Sequence, residues 1–306
     1  MTAPGALRRV AVAGGEMTCR HDVPPECGTG SDEAPPLLLL HGFTGSHASW
    51  ETLISRLRER GRISTQRILS VDLPGHGATR LAARCSTMEG AARALEGLLD
   101  ASGARRSVVA GYSMGGRLAL YLALTRPARV AGLLLESASP GVEDARERAA
   151  RRARDARLAL DLENDGIEVF VDRWESLPLF ATQVRSSPTL RARQRRIRLA
   201  QDPAGLEISL RAMGTGVQPW LGGRLGELTM PLTFAAGGLD AKFAAIARRM
   251  HRAAPGSRLQ IVDDAGHALH LEAPERMAAL LEALCRRCPA GTAAAPGERP
   301  TEGRAT

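Results

Sequence analysis

Three residues of this chain have the types and chain order for proton-transfer or nucleophilic chemistry: Ser113, Asp240 and His267. Ser113 sits in Gly111-Tyr112-Ser113-Met114-Gly115-Gly116-Arg117, entered from the apolar segment Ser107 to Ala110 and left through the helical apolar pattern Leu118 to Ala123. Strand, sharp turn and helix in that order hold a serine in a strained backbone, with small residues two positions to either side, and lift its hydroxyl clear of the sheet edge. A serine hydroxyl is a weak base and a weak nucleophile, so a histidine and an orienting acid must be supplied from elsewhere. Among seven histidines, His267 follows the last predicted strand with Gly266 before it, and Asp240 lies in the loop after the strand ending at Gly237. The order Ser, Asp, His suits a strand-turn-helix nucleophile. Asp263 and Asp264 compete for the acid's place but read as turn residues, leaving Asp240 to reach the imidazole from a neighbouring strand. Backbone N–H groups of Met114 and Phe43 would form the oxyanion hole. His41, His76 and His270 read as loop-stabilising polar residues.

Positioning these groups requires a particular set of elements. Val10 to Val12 and the stretch near Met17 predict an opening pair of strands, and Pro36 to Leu40 a buried strand. Trp50 to Leu57 has helical apolar spacing, with Gly61 as its stop. Further strands are expected at 67–72, 106–111, 129–136, 232–237 and 258–262, and helices at 87–101, 114–125 and 243–252. Repeated strand-then-helix units with short connections predict an α/β fold, a mostly parallel sheet covered on both faces. The alternation stops after Glu136, where 143–162, 166–175, 190–199 and 206–213 all read as helices. A helical insertion of this length is expected to cap the C-terminal edge of the strands, where ligands bind. The expected organisation is core 1–139, helical cap 140–225, core 226–287 and a disordered tail 288–306, too rich in Pro, Gly and Ala to bury a core.

Composition narrows the setting. The 306 residues fit one α/β domain with an insertion. No stretch reads as a signal peptide or membrane span, so a cytoplasmic protein without a membrane partner is expected, a monomer or weak homo-oligomer. The five cysteines are too scattered for a disulfide framework, and Cys285-Arg-Arg-Cys288 lacks the second pair or nearby histidines of a zinc site. No metal or other cofactor is expected. The formal charge of +8 invites a nucleic-acid reading, but Lys242 is the only lysine, and the arginines alternate with acids, as in Glu143 to Arg148. Arginine is the better bidentate partner for carboxylates, and no nucleic-acid motif accompanies the charge. No nucleic-acid partner is therefore expected.

The motifs carry a resemblance that runs from about Pro36 to Pro274. Leu40 to Ser46 with Trp50, Asp72-Leu73-Pro74-Gly75-His76-Gly77, and Gly111 to Arg117 resemble the α/β-hydrolase-fold enzymes at large. More selective are Glu136 to Gly141, Trp174-Glu175 with Leu177 to Gln183, Met213 to Pro219, Asp240 to Phe243 and Ala265 to Pro274. Together these resemble the 2-succinyl-6-hydroxy-2,4-cyclohexadiene-1-carboxylate synthases, pyruvate-eliminating lyases of menaquinone biosynthesis. The resemblance implies a substrate with three carboxylates, on the succinyl arm, the ring and the departing enolpyruvyl group. It implies substrate-binding roles for Tyr112, Arg117, Arg151, Trp174 and a cap arginine, Arg198, with Arg195 and Arg196 as the alternatives. An esterase or carbon–carbon bond hydrolase working through an acyl-enzyme is the competing expectation. Trp220 directly after Pro219, followed by Gly222-Gly223, departs from the family pattern at the cap edge.

Overall fold

A computed structural model describes residues 5–23, 34–63 and 66–288. Its strands are β1 (Ala6–Val12), β2 (Gly15–Asp22), β3 (Leu37–Leu40), β4 (Ile68–Val71), β5 (Arg80–Leu81), β6 (Ser107–Tyr112), β7 (Val130–Glu136), β8 (Leu232–Gly237) and β9 (Arg258–Val262). They form one sheet in the order β1-β2-β4-β3-β6-β7-β8-β9, with β5 on β2. β1, β2 and β5 pair antiparallel, and every pairing from β4 through β9 is parallel. The inner parallel strands β3, β4, β6, β7 and β8 are buried almost throughout because both faces are covered, whereas the edge strand β9 alternates exposed and half-buried residues. Leu37 to Leu40 alternate between two cores, Leu38 and Leu40 facing one, Leu37 and Leu39 the other.

The helices of the sheet are α1 (Glu51–Arg60), α2 (Met88–Ala101), α3 (Met114–Thr125), α7 (Ala241–Ala253), α8 (Leu269–Glu272) and α9 (Pro274–Cys285). Gly61 stops α1 with φ 68°, a left-handed cap that glycine adopts without strain. Between β7 and β8 the chain runs through α4 (Ala145–Glu175), the 3₁₀ segment Pro178–Arg185, α5 (Pro188–Leu199), α6 (Pro203–Met213) and the 3₁₀ turn Gly222–Glu227. α4 contains the break expected between 162 and 166: Gly166 has φ 76° and ψ 177°. A core of their own joins α4 and α6 through Ala159, Leu162, Phe170, Val171, Leu206 and Leu210. Trp220 lies against Gly222, where a Cβ would collide with its indole, so the glycine and the early tryptophan are one local solution.

Sequence periodicity did not single out α9, although Pro274 at its first turn is a start signal. Its inner face packs Met277, Ala278, Leu281 and Leu284 under the sheet. Cys288, placed at the start of the tail by composition, is buried against Gly132 of β7. The remainder of that expected tail, 289–306, lies outside the described residues.

Candidate active site

β6 delivers the chain into a turn where Ser113 has φ 50° and ψ −107°, a conformation that strains any residue with a Cβ by ~1–3 kcal/mol. The surroundings hold it there. The Ser113 amide donates to the Glu136 carbonyl on β7 (2.8 Å), and its own carbonyl accepts from Arg117 N (3.0 Å). A Cβ on Gly111 would collide with the Gly115 carbonyl, and one on Gly115 with the Leu40 carbonyl, so helix α3 meets β6 and β3 at backbone distance. Ser113 therefore stands at the N-terminus of α3, where the helix dipole favours negative charge.

His267 and Asp240 arrive from the ends of β9 and β8. The imidazole Nε2 is 3.2 Å from Ser113 Oγ, and Nδ1 is 2.7 Å from Asp240 Oδ2. Nδ1 carries the proton toward the carboxylate, which leaves Nε2 as an acceptor facing the hydroxyl. The other oxygen of Asp240 accepts from Phe243 N (3.1 Å), capping α7 and fixing the carboxylate's orientation. Phe243 and Tyr112 stand edge-on to the imidazole, with centroids 4.5 and 5.3 Å away. Glu272 pins the loop from below, accepting from Gly266 N (2.8 Å) and Ala268 N (3.2 Å). Asp263 and Asp264 are exposed on the turn after β9 and take no part in this chain of contacts.

The amides of Phe43 and Met114 donate no hydrogen bond among the described residues. The loop carrying Phe43 is held by two buried histidines. His41 Nδ1 donates to the Gly42 carbonyl (2.7 Å) and Nε2 accepts from Leu73 N (3.0 Å). His76 Nδ1 donates to the Pro74 carbonyl (3.1 Å) and Nε2 accepts from Thr44 N (3.2 Å). Burial holds His41 down to about 4, and burial followed by repulsion from His41 holds His76 down to about 3. Both fold as neutral rings, whereas in the unfolded chain they take up protons below about 6.5. Stability is therefore expected to fall as pH drops from about 6.5 to about 4, by up to ~1.4 kcal/mol per pH unit for each histidine. Urea midpoints at pH 7 and pH 5 measure this. A His41→Asn variant, which removes one titrating ring, should show a shallower decline, and equal slopes would contradict the assignment.

A second buried pair lies behind the elbow. Glu136, at the end of β7, accepts on Oε1 from both His270 N (3.0 Å) and His270 Nδ1 (2.8 Å). The His270 ring fills the space between Trp50 and Tyr112, 4.6 Å from each. Sequence reading gave His270 a structural role but missed its partner; Glu136 carried only the signal of an acid ending a buried strand.

A pocket of about 30 Å³ opens against Tyr112, the residue before the serine, and is walled also by Phe43, Trp174, Phe180, Arg198 and His270 among others. The structure thus brings Tyr112, Trp174 and Arg198 to one cavity. Arg195 does not reach it, and Arg196 is exposed, so of the three candidate cap arginines only Arg198 faces the triad side. Arg117 and Arg151 stand apart from that wall. Arg117 is 8 % exposed and donates to the Met213 carbonyl (2.8 Å) and to Gln218 Oε1 (2.9 Å). Burial, and then the nearby Arg151, lower it to about 10, so it stays charged at neutral pH. Arg151 pairs with Asp155 at 2.7 Å, one turn along α4. No group of three or more His, Cys, Asp or Glu that could hold a metal occurs among the described residues. The thiols of the C-x-x-C pair are buried and burial raises both, Cys285 to about 12. Among the described residues no helix is long and apolar enough to cross a membrane.

The parallel sheet and the strained serine between β6 and α3 define an α/β-hydrolase-fold protein, and residues 37–280 match the model of the alpha/beta hydrolase family. The chain is 40 % identical over 251 residues to a putative 2-succinyl-6-hydroxy-2,4-cyclohexadiene-1-carboxylate synthase of Bacillus subtilis, covering 80 % of this chain and 89 % of that protein. It is 32 % identical over 257 residues to the synthase of that name from Serratia proteamaculans, covering 82 % and 93 %. The solved structure of MenH from S. aureus superposes with a TM-score of 0.80 at 30 % identity, covering 88 % of this chain and 97 % of that one. A thermophilic esterase from Thermogutta terrifontis superposes at 0.76 with 26 % identity, covering 92 % and 99 %. The chain belongs to the 2-succinyl-6-hydroxy-2,4-cyclohexadiene-1-carboxylate synthase family.

Proposed function

We propose that the chain is a carbon–oxygen lyase that eliminates pyruvate from 2-succinyl-5-enolpyruvyl-6-hydroxy-3-cyclohexene-1-carboxylate, giving 2-succinyl-6-hydroxy-2,4-cyclohexadiene-1-carboxylate for menaquinone biosynthesis. The observation that carries this reading is the Asp240–His267–Ser113 relay in a chain 40 % identical to a relative bearing the synthase name. Ser113, with His267 drawing on its proton and Asp240 orienting the ring, removes the proton from the ring carbon beside the succinyl ketone. The electrons move through the ring double bond, the carbon–oxygen bond to the enolpyruvyl group breaks with its electron pair leaving on oxygen, and the released enolate takes up a proton at its methylene carbon to become pyruvate. No water is consumed. The Phe43 and Met114 amides, unoccupied by other acceptors, stabilise the enolate oxygen as it forms, helped by the α3 dipole. No step calls for a cofactor. Residues 140–225 serve as the cap, and the chain works in the cytoplasm on a small tricarboxylate, as a monomer or weak homo-oligomer without nucleic-acid or membrane partners.

In this reading Arg117, Arg151 and Arg198 receive the three carboxylates, with Tyr112 and Trp174 on the ring. Incubation with the enolpyruvyl substrate and detection of pyruvate tests the activity. Alanine at Arg151 or Arg198 should lower kcat/KM by a charge-assisted contact, about 1.5–3 kcal/mol. Alanine at Arg117 should lower it at least as much, because its bonds to the Met213 carbonyl and Gln218 also go. Arg154, exposed on α4, is the control and should change kcat/KM little. Steady-state kinetics on the four variants separates the two groups, and equal effects in all four would contradict the assignment.

A further inference from the structure

The pocket against Tyr112, about 30 Å³, holds about two water molecules, whereas sites for ligands of this size run to about 300–1,000 Å³. A cavity of about 500 Å³ lies directly next to it, between the 3₁₀ segment Pro178–Arg185 and α5. The two share Phe180, Gln183, Gln194, Arg198 and Leu271, so those side chains are the partition between them. One carboxylate ties an arginine of the partition to α4. Glu175, at the end of α4, accepts from Arg198 on Oε1 (2.7 Å) and from Arg195 on Oε2 (2.9 Å). Arg198 in turn lies over the Phe180 ring, 5.4 Å from its centroid.

Two donors that line the smaller pocket are without acceptors. Gln194 Nε2 and Trp174 Nε1 are buried with no hydrogen-bond partner, the first on a side chain that lines both cavities. A buried N–H left unpaired is expensive, so a site that gathers two of them around an arginine is built for an anionic acceptor that arrives later. Glu175 is engaged with the two arginines and accepts from neither of these donors.

Resting on the lyase reading, we infer that the cavity between 178–185 and α5 is the entry chamber for a carboxylate arm of the substrate, and that Glu175 is an internal carboxylate which holds Arg198 until that arm displaces it. Gln194 and Trp174 then gain the acceptor they lack, and Arg198 moves from Glu175 to the substrate. The Glu175–Arg195 pair remains, so the released glutamate is not left alone. This makes Glu175 a specificity-determining residue: a neutral ligand cannot compete for Arg198, and a monoanion carries no charge to spare for the remaining arginines. Glu175 sets how tightly anions enter, with no part in the proton transfer itself.

The test uses propane-1,2,3-tricarboxylate as an inert probe on the full chain, with binding followed by calorimetry and by tryptophan fluorescence. In Glu175→Gln the probe should bind about three- to fivefold more tightly than in wild type, the scale of releasing one partly buried ion pair that is replaced by another anion. Adding Arg198→Gln should abolish that gain, and the neutral trimethyl ester should show none of it. For turnover, Glu175→Gln should lower KM with kcat no higher than wild type. Binding that is unchanged, weaker or undetectable in Glu175→Gln, with a normal melting curve, overturns the inference. Wild type that forms no pyruvate while Glu175→Gln still tightens the probe overturns the lyase reading alone and leaves the chamber serving another anionic substrate.

Discussion

Ser113→Ala is expected to lower kcat by at least about 100-fold, the low end for removal of a positioned proton-transfer group, while leaving substrate binding largely intact. The argument lies in what the hydroxyl touches. Ser113 Oγ is 3.2 Å from His267 Nε2 at the N-terminus of α3, and no carboxylate or arginine of the substrate-binding set contacts it. Its loss therefore removes an interaction made during proton transfer and leaves ground-state contacts alone, so kcat and kcat/KM should fall together with KM near wild type. The same serine distinguishes the lyase from the hydrolase reading that the fold also accommodates. Elimination leaves no covalent intermediate, so rapid-quench mass spectrometry of the wild type during turnover should find Ser113 unmodified. An adduct forming and decaying at the catalytic rate would replace the lyase mechanism with acyl-enzyme hydrolysis.

The local parts of this molecule were legible in the sequence because the signals for them are local. Buried parallel strands are apolar on both faces, so Leu37–Leu40 and Leu232–Gly237 stand out between loop residues, the edge strand Arg258–Val262 shows in its polar-apolar alternation, and Gly166 announces the break in α4. Asp240 was legible over the nearer Asp263 and Asp264 because those two read as turn residues after a strand, while the end of the preceding strand lies beside it in a parallel sheet, as β8 and β9 do here. Long-range charge pairing has no such signal. Glu136 meets His270 across 134 residues of sequence and Arg60 meets Glu282 across 222, and neither pair is marked by spacing or composition. The cap arginines illustrate the same limit at short range. Arg195, Arg196 and Arg198 lie within one turn of α5, and which of them faces the triad is decided by how α5 rotates against α4 and the 3₁₀ segment. Periodicity gives the faces of a helix but not the direction in which the helix is turned.

The same distinction between local and long-range contacts governs what happens when Asp240 becomes asparagine. The substitution keeps the side chain's shape, and its oxygen still caps α7 by accepting from Phe243 N, so the protein should lose little stability. What changes is the partner 2.7 Å away. The carboxylate Oδ2 accepts a hydrogen bond from His267 Nδ1, while an amide placed there presents either a donor or a neutral acceptor. With the amide nitrogen toward the ring, His267 must carry its proton on Nε2, so the nitrogen facing Ser113 can no longer accept one. Loss of the correct tautomer costs about 10⁴ in kcat in serine proteases, and Asp240→Asn is expected to lose about 10³–10⁴ here because the same nitrogen must take the serine proton. Asp240→Ala should lose a comparable factor in rate and also about 1 kcal/mol of stability with the helix cap. Chemical denaturation and pyruvate formation measured on both variants separate the two roles. Activity in Asp240→Asn within tenfold of wild type would show that Ser113 does not work through the His267 tautomer, and the base would then have to be found elsewhere in the pocket.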